Sequence, residues 1–154
     1  MSDSIYSGKL RIRVAGLLIK DGKLLLVKLK SPISNQDIWT PPGGGVEFGE
    51  SMHKALQREY AEETSMSITV RKLAHINELI EHPFHAIEFF FWVEAIKGEM
   101  KLGFDPENDS NFQLLKEIEF VELSEIKNRN VKPDFLKSEF WKSNRLSTDF
   151  MDVE

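Results

Sequence analysis

Residues 10 to 30 read "LRIRVAGLLI", then Asp21-Gly22, then "KLLLVKLK". Asp-Gly tolerates positive φ, so the pattern predicts two strands, 10–19 and 23–30, paired as a hairpin around a tight turn. "SPISNQD" is turn chemistry, and "IWTPP" leads into Gly43, Gly44 and Gly45, where no side chain blocks a ligand from the backbone. From Ser51 to Thr64 a serine start, strong helix formers and the absence of internal Gly or Pro predict a helix. Further strands are expected at 66–76 and 85–96. The second, "HAIEFFFWVEAI", is too continuously apolar to have a wet face and belongs in the middle of a sheet. A polar loop follows over 103–112, then a strand at 116–123, a short helix beginning at Ser124, a last helix over 132–142 and a frayed tail over 143–154. Strands interleaved with a few helices, including a hairpin, predict an α/β fold of the α+β type, a mixed sandwich rather than a parallel doubly wound sheet.

A chain of 154 residues with 41% hydrophobic content can bury one core, so 1–154 is expected to form a single domain. The net charge of -5 and the lack of a long basic run exclude duplex nucleic acid as the expected main partner. No cysteine is present, which removes disulfides, thiolate nucleophiles and cysteine-type zinc sites. The first residues lack the apolar core of a signal peptide, and no apolar run approaches the roughly 20 residues of a membrane span. A cytoplasmic protein without membrane attachment is the expectation.

The helix over 51–64 carries Glu59, Glu62 and Glu63. Clustered glutamates on a helix usually mark a solvated face. At about 100° per residue, however, Met52, Ala55 and Leu56 mark an inward arc, and the three acids fall into it while Lys54, Gln57 and Ala61 point away. Carboxylates at i, i+3 and i+4 repel one another, and partial burial strengthens the repulsion, so cations are needed to neutralise them. Oxygen ligands without cysteine or histidine favour Mg²⁺ or Mn²⁺ over zinc.

The stretch from Gly44 to Met66 resembles the signature of the Nudix hydrolases, G-x5-E-x7-R-E-U-x-E-E-x-G-U, with U a bulky aliphatic. Gly44, Glu50, Arg58, Glu59, Glu62 and Glu63 stand at the required spacing. Tyr60 replaces the aliphatic and Ser65 the closing glycine, which leaves the helix ending open but not the carboxylates. The resemblance implies an α/β/α sandwich with a mixed sheet, and a Mg²⁺-dependent pyrophosphohydrolase cleaving a nucleoside diphosphate linked to another moiety, such as a nucleotide-sugar, an ADP-ribose-like compound or a nucleoside triphosphate. It also implies metal ligation by Glu59, Glu63, Glu62 and the Gly44 carbonyl, with Arg58 and Glu50 orienting the carboxylates. Glu59 is the first candidate for the base, and a homodimer is compatible with the family. The competing readings are an enzyme that clears oxidised nucleoside triphosphates, and a nucleotide-sensing or RNA-binding module without turnover.

Outside the signature, Glu117, Glu119 and Glu107 are candidates for a further carboxylate, each weighed against plain surface charge. Trp39 is a candidate for stacking on a base, against the alternative of a packed strand end. His82, Phe84 and His85 are candidates for the pocket mouth. Arg11, Arg13, Lys28 and Lys30 alternate along the first hairpin and could meet a phosphate or simply decorate an exposed face. Phe89 to Trp92 are assigned to the core, and His53 and His75 receive no role.

Overall fold

The computed structural model describes residues 5–103 and 115–143. All of the expected loop over 103–112 but Gly103, Glu107 included, and nearly all of the expected tail lie outside them. The elements are β1 (Leu10–Leu17), β2 (Ile19–Lys20), β3 (Lys23–Lys30), β4 (Asp37–Thr40), β5 (Gly43–Gly45), α1 (Met52–Thr64), β6 (Ser67–Glu81), β7 (Phe84–Lys97), β8 (Leu115–Glu122), 3-10 turns at Leu123–Asn128 and Asp134–Lys137, and α2 (Phe140–Ser143). One sheet runs β5-β1-β7-β6; in the other, β3 pairs with β2, β4 and β8. The β1–β7 pairing is parallel and the others are antiparallel, so the fold is a mixed α+β one, with α1 as its main helix.

The hairpin turn forms where Asp21-Gly22 predicts it, with φ of 52° and 75°, and closes β2 onto β3. The expected strand 10–19 does not pair with 23–30 along its length, however. Residues 10–17 pair with β5 and β7, and only 19–20 join β3. Leu17 and Leu18 explain the switch. They are adjacent and both buried, Leu17 in a cluster with Leu24, Phe90 and Trp92, and Leu18 in a cluster with Leu25, Phe91 and Val93. Successive side chains of a strand point to opposite faces, so a chain with apolar groups on both sides must be covered on both sides.

That cover is supplied by two different layers. Ala55, Leu56 and Tyr60 of α1 close the first cluster, while Ile126, Val131 and Leu136 from the C-terminal turns close the second. Each fully buried leucine contributes about 2 kcal/mol through the area it removes from water. β7 lies between β1 and β6, which accounts for its unbroken apolar run. β6 extends five residues beyond the expected end at Ile76, because Asn77 to Glu81 continue the ladder with β7 as far as the Glu81–Phe84 pair. The expected helix 132–142 is broken into a 3-10 turn and α2: Ser138 is extended, donates its hydroxyl to the Phe135 carbonyl and accepts the Phe140 amide at 3.2 Å. Serine here competes with the helical ladder for backbone groups.

Two local features carry measurable consequences. Ser65 ends α1 in the left-handed conformation at φ 63°, which strains any residue with a Cβ. Ser65→Gly is expected to raise stability by about 0.5–1 kcal/mol in urea titrations, reduced slightly by loss of the 3.3 Å bond from its hydroxyl to the Lys101 carbonyl. His75 stacks on Phe135 with ring centroids 3.8 Å apart and meets the edge of Phe140. Burial depresses its pKa below the ordinary 6.5. The unfolded chain therefore binds the proton more readily, so this contribution is fully present above pH 6.5 and is lost as pH falls through the folded value. The midpoint for unfolding is expected to drop between pH 7 and 5, and His75→Phe to flatten part of that slope.

Candidate active site

Ser51 starts α1 by accepting the Lys54 amide at 3.1 Å. From that start the helical period turns Ala55, Leu56, Glu59, Tyr60 and Glu63 inward, and Glu59 and Glu63 are only 2% and 5% exposed. The carboxylates thus continue the buried stripe, and Lys54, Gln57 and Ala61 lie on the exposed side. Tyr60, the departure from the aliphatic pattern, is fully buried, and its hydroxyl donates to the Gly16 carbonyl at 2.7 Å. Burial, with the nearby Glu63 charge, pushes the Tyr60 pKa well up, so the hydroxyl stays a donor. Gly16 is the matching position, because a Cβ there would run into the Tyr60 ring.

Arg58 gathers the acids. Its Nε and Nη2 donate to the two oxygens of Glu50 at 2.8 and 2.9 Å, Nη1 donates to Glu59 at 2.9 Å and Glu62 at 3.5 Å, and Nη2 also reaches the Gly45 carbonyl at 3.2 Å. The Arg58 hydrogen bonds, helped by the Glu47 amide, hold the Glu50 pKa below its ordinary value. The Gly43 amide donates to Glu63 at 3.2 Å. Gly44 lies against the Glu59 carboxylate, into which a Cβ would project. The glycine of this strand therefore serves a close approach within the protein, whatever it also offers a ligand. The structure thus brings together Gly44, Glu50, Arg58, Glu59, Glu62 and Glu63, the six positions that match the signature.

Among the described residues no three carboxylates or imidazoles are already drawn around one cation position. Guanidinium and amide donors hold the oxygens instead. The donor set still fits a hard divalent ion, since three carboxylates, Glu50, Glu59 and Glu62, converge on a single guanidinium and the buried Glu63 lies one helical turn from Glu59. Glu59, Glu62 and Glu63, with Gly44 lying against the Glu59 carboxylate, are the residues able to hold one.

A cleft of about 750 Å³ opens beside this cluster, and Gly43, Gly44 and Glu63 are part of its wall. Val27, Leu29 and Ile38 of one sheet face Arg13, Glu88 and Asn77 of the other across it. Arg11, which lies over the Tyr6 ring at 3.6 Å, also borders the cleft, as do Phe84 and His85. His82 lines a separate, smaller hollow.

The remaining candidates stand elsewhere. Trp39 is not among the cleft residues; it packs on the second core cluster between Arg129 and Lys28, 4.9 and 5.8 Å from its ring. Glu117 and Glu119 are register partners of Lys28 and Leu26, on the face of β3 opposite Val27 and Leu29, and pair with Lys28 at 3.7 Å and Arg129 at 2.7 Å. Lys28 and Lys30 are likewise outside the cleft. Sequence reading gave no role to Glu88, although a lone acid inside the apolar run "HAIEFFFW" is the signal that would have found it.

The family model described as the NUDIX domain matches residues 9–138. The chain belongs to the NUDIX family. An ADP-ribose pyrophosphatase of Methanocaldococcus jannaschii is 34% identical to this Nudix chain over 106 residues, 67% of the chain and 62% of that protein. A CTP pyrophosphohydrolase of Escherichia coli is 29% identical over 108 residues, 66% of the chain and 80% of that protein. The Nudix chain thus aligns with less than two thirds of the first relative's length. A NUDIX hydrolase from Nitrosomonas europaea shares the fold with a TM-score of 0.72 at 21% identity, covering 95% of this chain and 98% of that one. The MutT protein of Methanosarcina mazei does so at 0.71 and 23%, covering 89% and 96%. Among the described residues no helix is long and apolar enough to cross a membrane.

Proposed function

We propose that this Nudix domain is a pyrophosphohydrolase that cleaves the phosphoanhydride of a nucleoside diphosphate linked to another moiety, using Mg²⁺, with Mn²⁺ as a substitute. The observation that carries the reading is the pair of buried carboxylates, Glu59 and Glu63, set against Gly44 and Gly43 at the wall of a nucleotide-sized cleft. Without a cation such a wall repels a pyrophosphate by a few kcal/mol per close charge pair, at about 20 for the effective dielectric. Bound divalent metal reverses that sign and lowers the pKa of a water for in-line attack.

The protein's own part is to hold acceptors in place. Arg58 fixes Glu59 and Glu62 from one side, and its two-pronged contact with Glu50 anchors the loop before α1. Glu59 is the first candidate to take the proton from the attacking water. The two relatives, an ADP-ribose pyrophosphatase and a CTP pyrophosphohydrolase, support the reaction class and supply the test substrates.

The test is to incubate the protein with ADP-ribose, CTP and oxidised and normal purine nucleoside triphosphates, with Mg²⁺ and with a chelator. A nucleoside monophosphate should appear only with metal. Its co-product separates the alternatives: a sugar phosphate from ADP-ribose, or inorganic pyrophosphate from a triphosphate. No metal-dependent product from any of them overturns the proposal, and nucleotide binding without turnover would favour the sensing module.

A further inference from the structure

Gly45, Arg13, Glu88 and Asn77 form one row across the four strands β5, β1, β7 and β6, fixed by the pairs Arg13–Gly45, Arg13–Glu88 and Asn77–Glu88. In this row Arg13 Nη1 donates to one Glu88 oxygen at 2.6 Å, and Asn77 Nδ2 donates to the other at 2.9 Å. The Glu88 side chain is 10% exposed, whereas that of Arg13 is 34% exposed, and all three residues line the cleft. Burying the Glu88 carboxylate in an otherwise apolar strand costs desolvation, and a well-packed apolar residue would do as well or better for stability. Glu88 has both oxygens engaged, but Arg13 is not saturated: its Nε is buried without a hydrogen-bond partner among the described residues. Glu88 clamps Nη1, and the buried Nε is out of a ligand's reach, so it is the exposed part of the guanidinium bordering the cleft that offers donors there.

The charge around it decides what that capacity suits. Glu88 cancels the Arg13 charge at contact distance, Lys132 is paired with Asp134, and Glu63, Glu78 and Glu81 border the same cleft against the one further cation, Arg11. A second phosphate would meet a neutralised guanidinium among carboxylates. An uncharged ring bearing carbonyl or ring-nitrogen acceptors would instead meet fixed donors on one side and the aliphatic wall of Val27, Leu29 and Ile38 on the other.

We propose that Arg13, held by Glu88 and Asn77, is a specificity residue that donates to the acceptor edge of the substrate's nucleobase, so that the cleft takes the uncharged nucleoside half while the phosphates lie at α1. This rests on the reading of the cleft as a nucleotide site. Asn77 and Glu88 act as positioning residues, setting the angle of the guanidinium rather than touching the base.

The test is calorimetric titration of wild type, Arg13→Lys, Arg13→Ala and Asn77→Leu with AMP, GMP, CMP and inorganic pyrophosphate. Arg13→Lys keeps the ion pair with Glu88, so it reports binding even if Arg13→Ala fails to fold. Wild type should bind at least one of the nucleoside monophosphates about tenfold tighter than pyrophosphate. The Arg13 variants should lose that preference about tenfold while their pyrophosphate affinity stays within about twofold, and Asn77→Leu should fall between. Equal loss for pyrophosphate would assign Arg13 to phosphate, and unchanged nucleotide binding would assign the row to structure alone; either overturns the proposal. So would a wild type that prefers none of the nucleotides. Because binding is read without turnover, an inactive protein that shows the expected preference would sink the hydrolase reading and leave this one standing.

Discussion

Replacing Glu63 by glutamine, or Glu59 by glutamine, is expected to lower metal-dependent turnover about a thousandfold, which corresponds to about 4 kcal/mol of transition-state stabilisation. The amide keeps the size and one acceptor oxygen. For Glu63 that preserves the 3.2 Å bond from the Gly43 amide. What is lost is one negative charge from a cluster of four carboxylates, of which three share a single guanidinium. In metal-free Glu63→Gln, whose carboxylate is not paired with Arg58, this loss removes repulsion, so the melting temperature without divalent ions should stay level or rise. The rise in melting temperature on adding Mg²⁺ should shrink in the same variant, because stabilisation by a ligand follows its affinity. A structural role for these glutamates predicts the opposite, with lower stability and an unchanged Mg²⁺ response. Thermal scans with and without Mg²⁺, beside initial rates, separate the two.

How far such a site can be seen in a sequence depends on how local its geometry is. Glu59, Glu62 and Glu63 share one helix, and a 3.6-residue period places them without knowledge of anything else; their burial followed from Met52, Ala55 and Leu56. Arg58 and Glu50 were legible only through the resemblance to the Nudix signature, since Glu50 stands in the loop before the helix. The cleft was not. Arg13 and Glu88 are 75 positions apart, and their contact depends on β1 lying parallel to β7 in one register. A one-residue slip would turn both to the other face. The hairpin reading itself obscured this, because it assigned residues 10–17 to β3 when they belong to the other sheet. Glu117 and Glu119 illustrate the limit from the other side. Their alternation predicted a strand well, but which face of β3 they shared was set by pairing with Lys28 and Leu26.

Removing the side chain of Arg58 is the second large effect expected. Arg58 bridges Glu50, Glu59, Glu62 and the Gly45 carbonyl. Its side chain is 25% exposed and the Glu59 carboxylate 3% exposed. Deleting one partner of a buried ionic network typically costs about 3–5 kcal/mol, and the partial exposure of the guanidinium brings the expectation for Arg58→Ala to about 3 kcal/mol at pH 7 without divalent ions. Lysine should recover only part of this, since one ammonium cannot span the fork that holds both oxygens of Glu50. The pH dependence has a definite sign. Glu50 titrates below its ordinary 4.5 when folded, so its stabilising contribution is present above that value and is lost as pH falls through the folded pKa. The gap between wild type and Arg58→Ala should therefore be widest near neutrality and narrow below about pH 4, where carboxylates protonate. Mg²⁺ acts on the same charges from the other side. If the acids hold a cation in place of part of the guanidinium's work, Mg²⁺ should stabilise Arg58→Ala by more than it stabilises wild type while turnover stays low. A variant equally destabilised at pH 3.5 and 7, with no added response to Mg²⁺, would show that Arg58 contributes packing rather than charge.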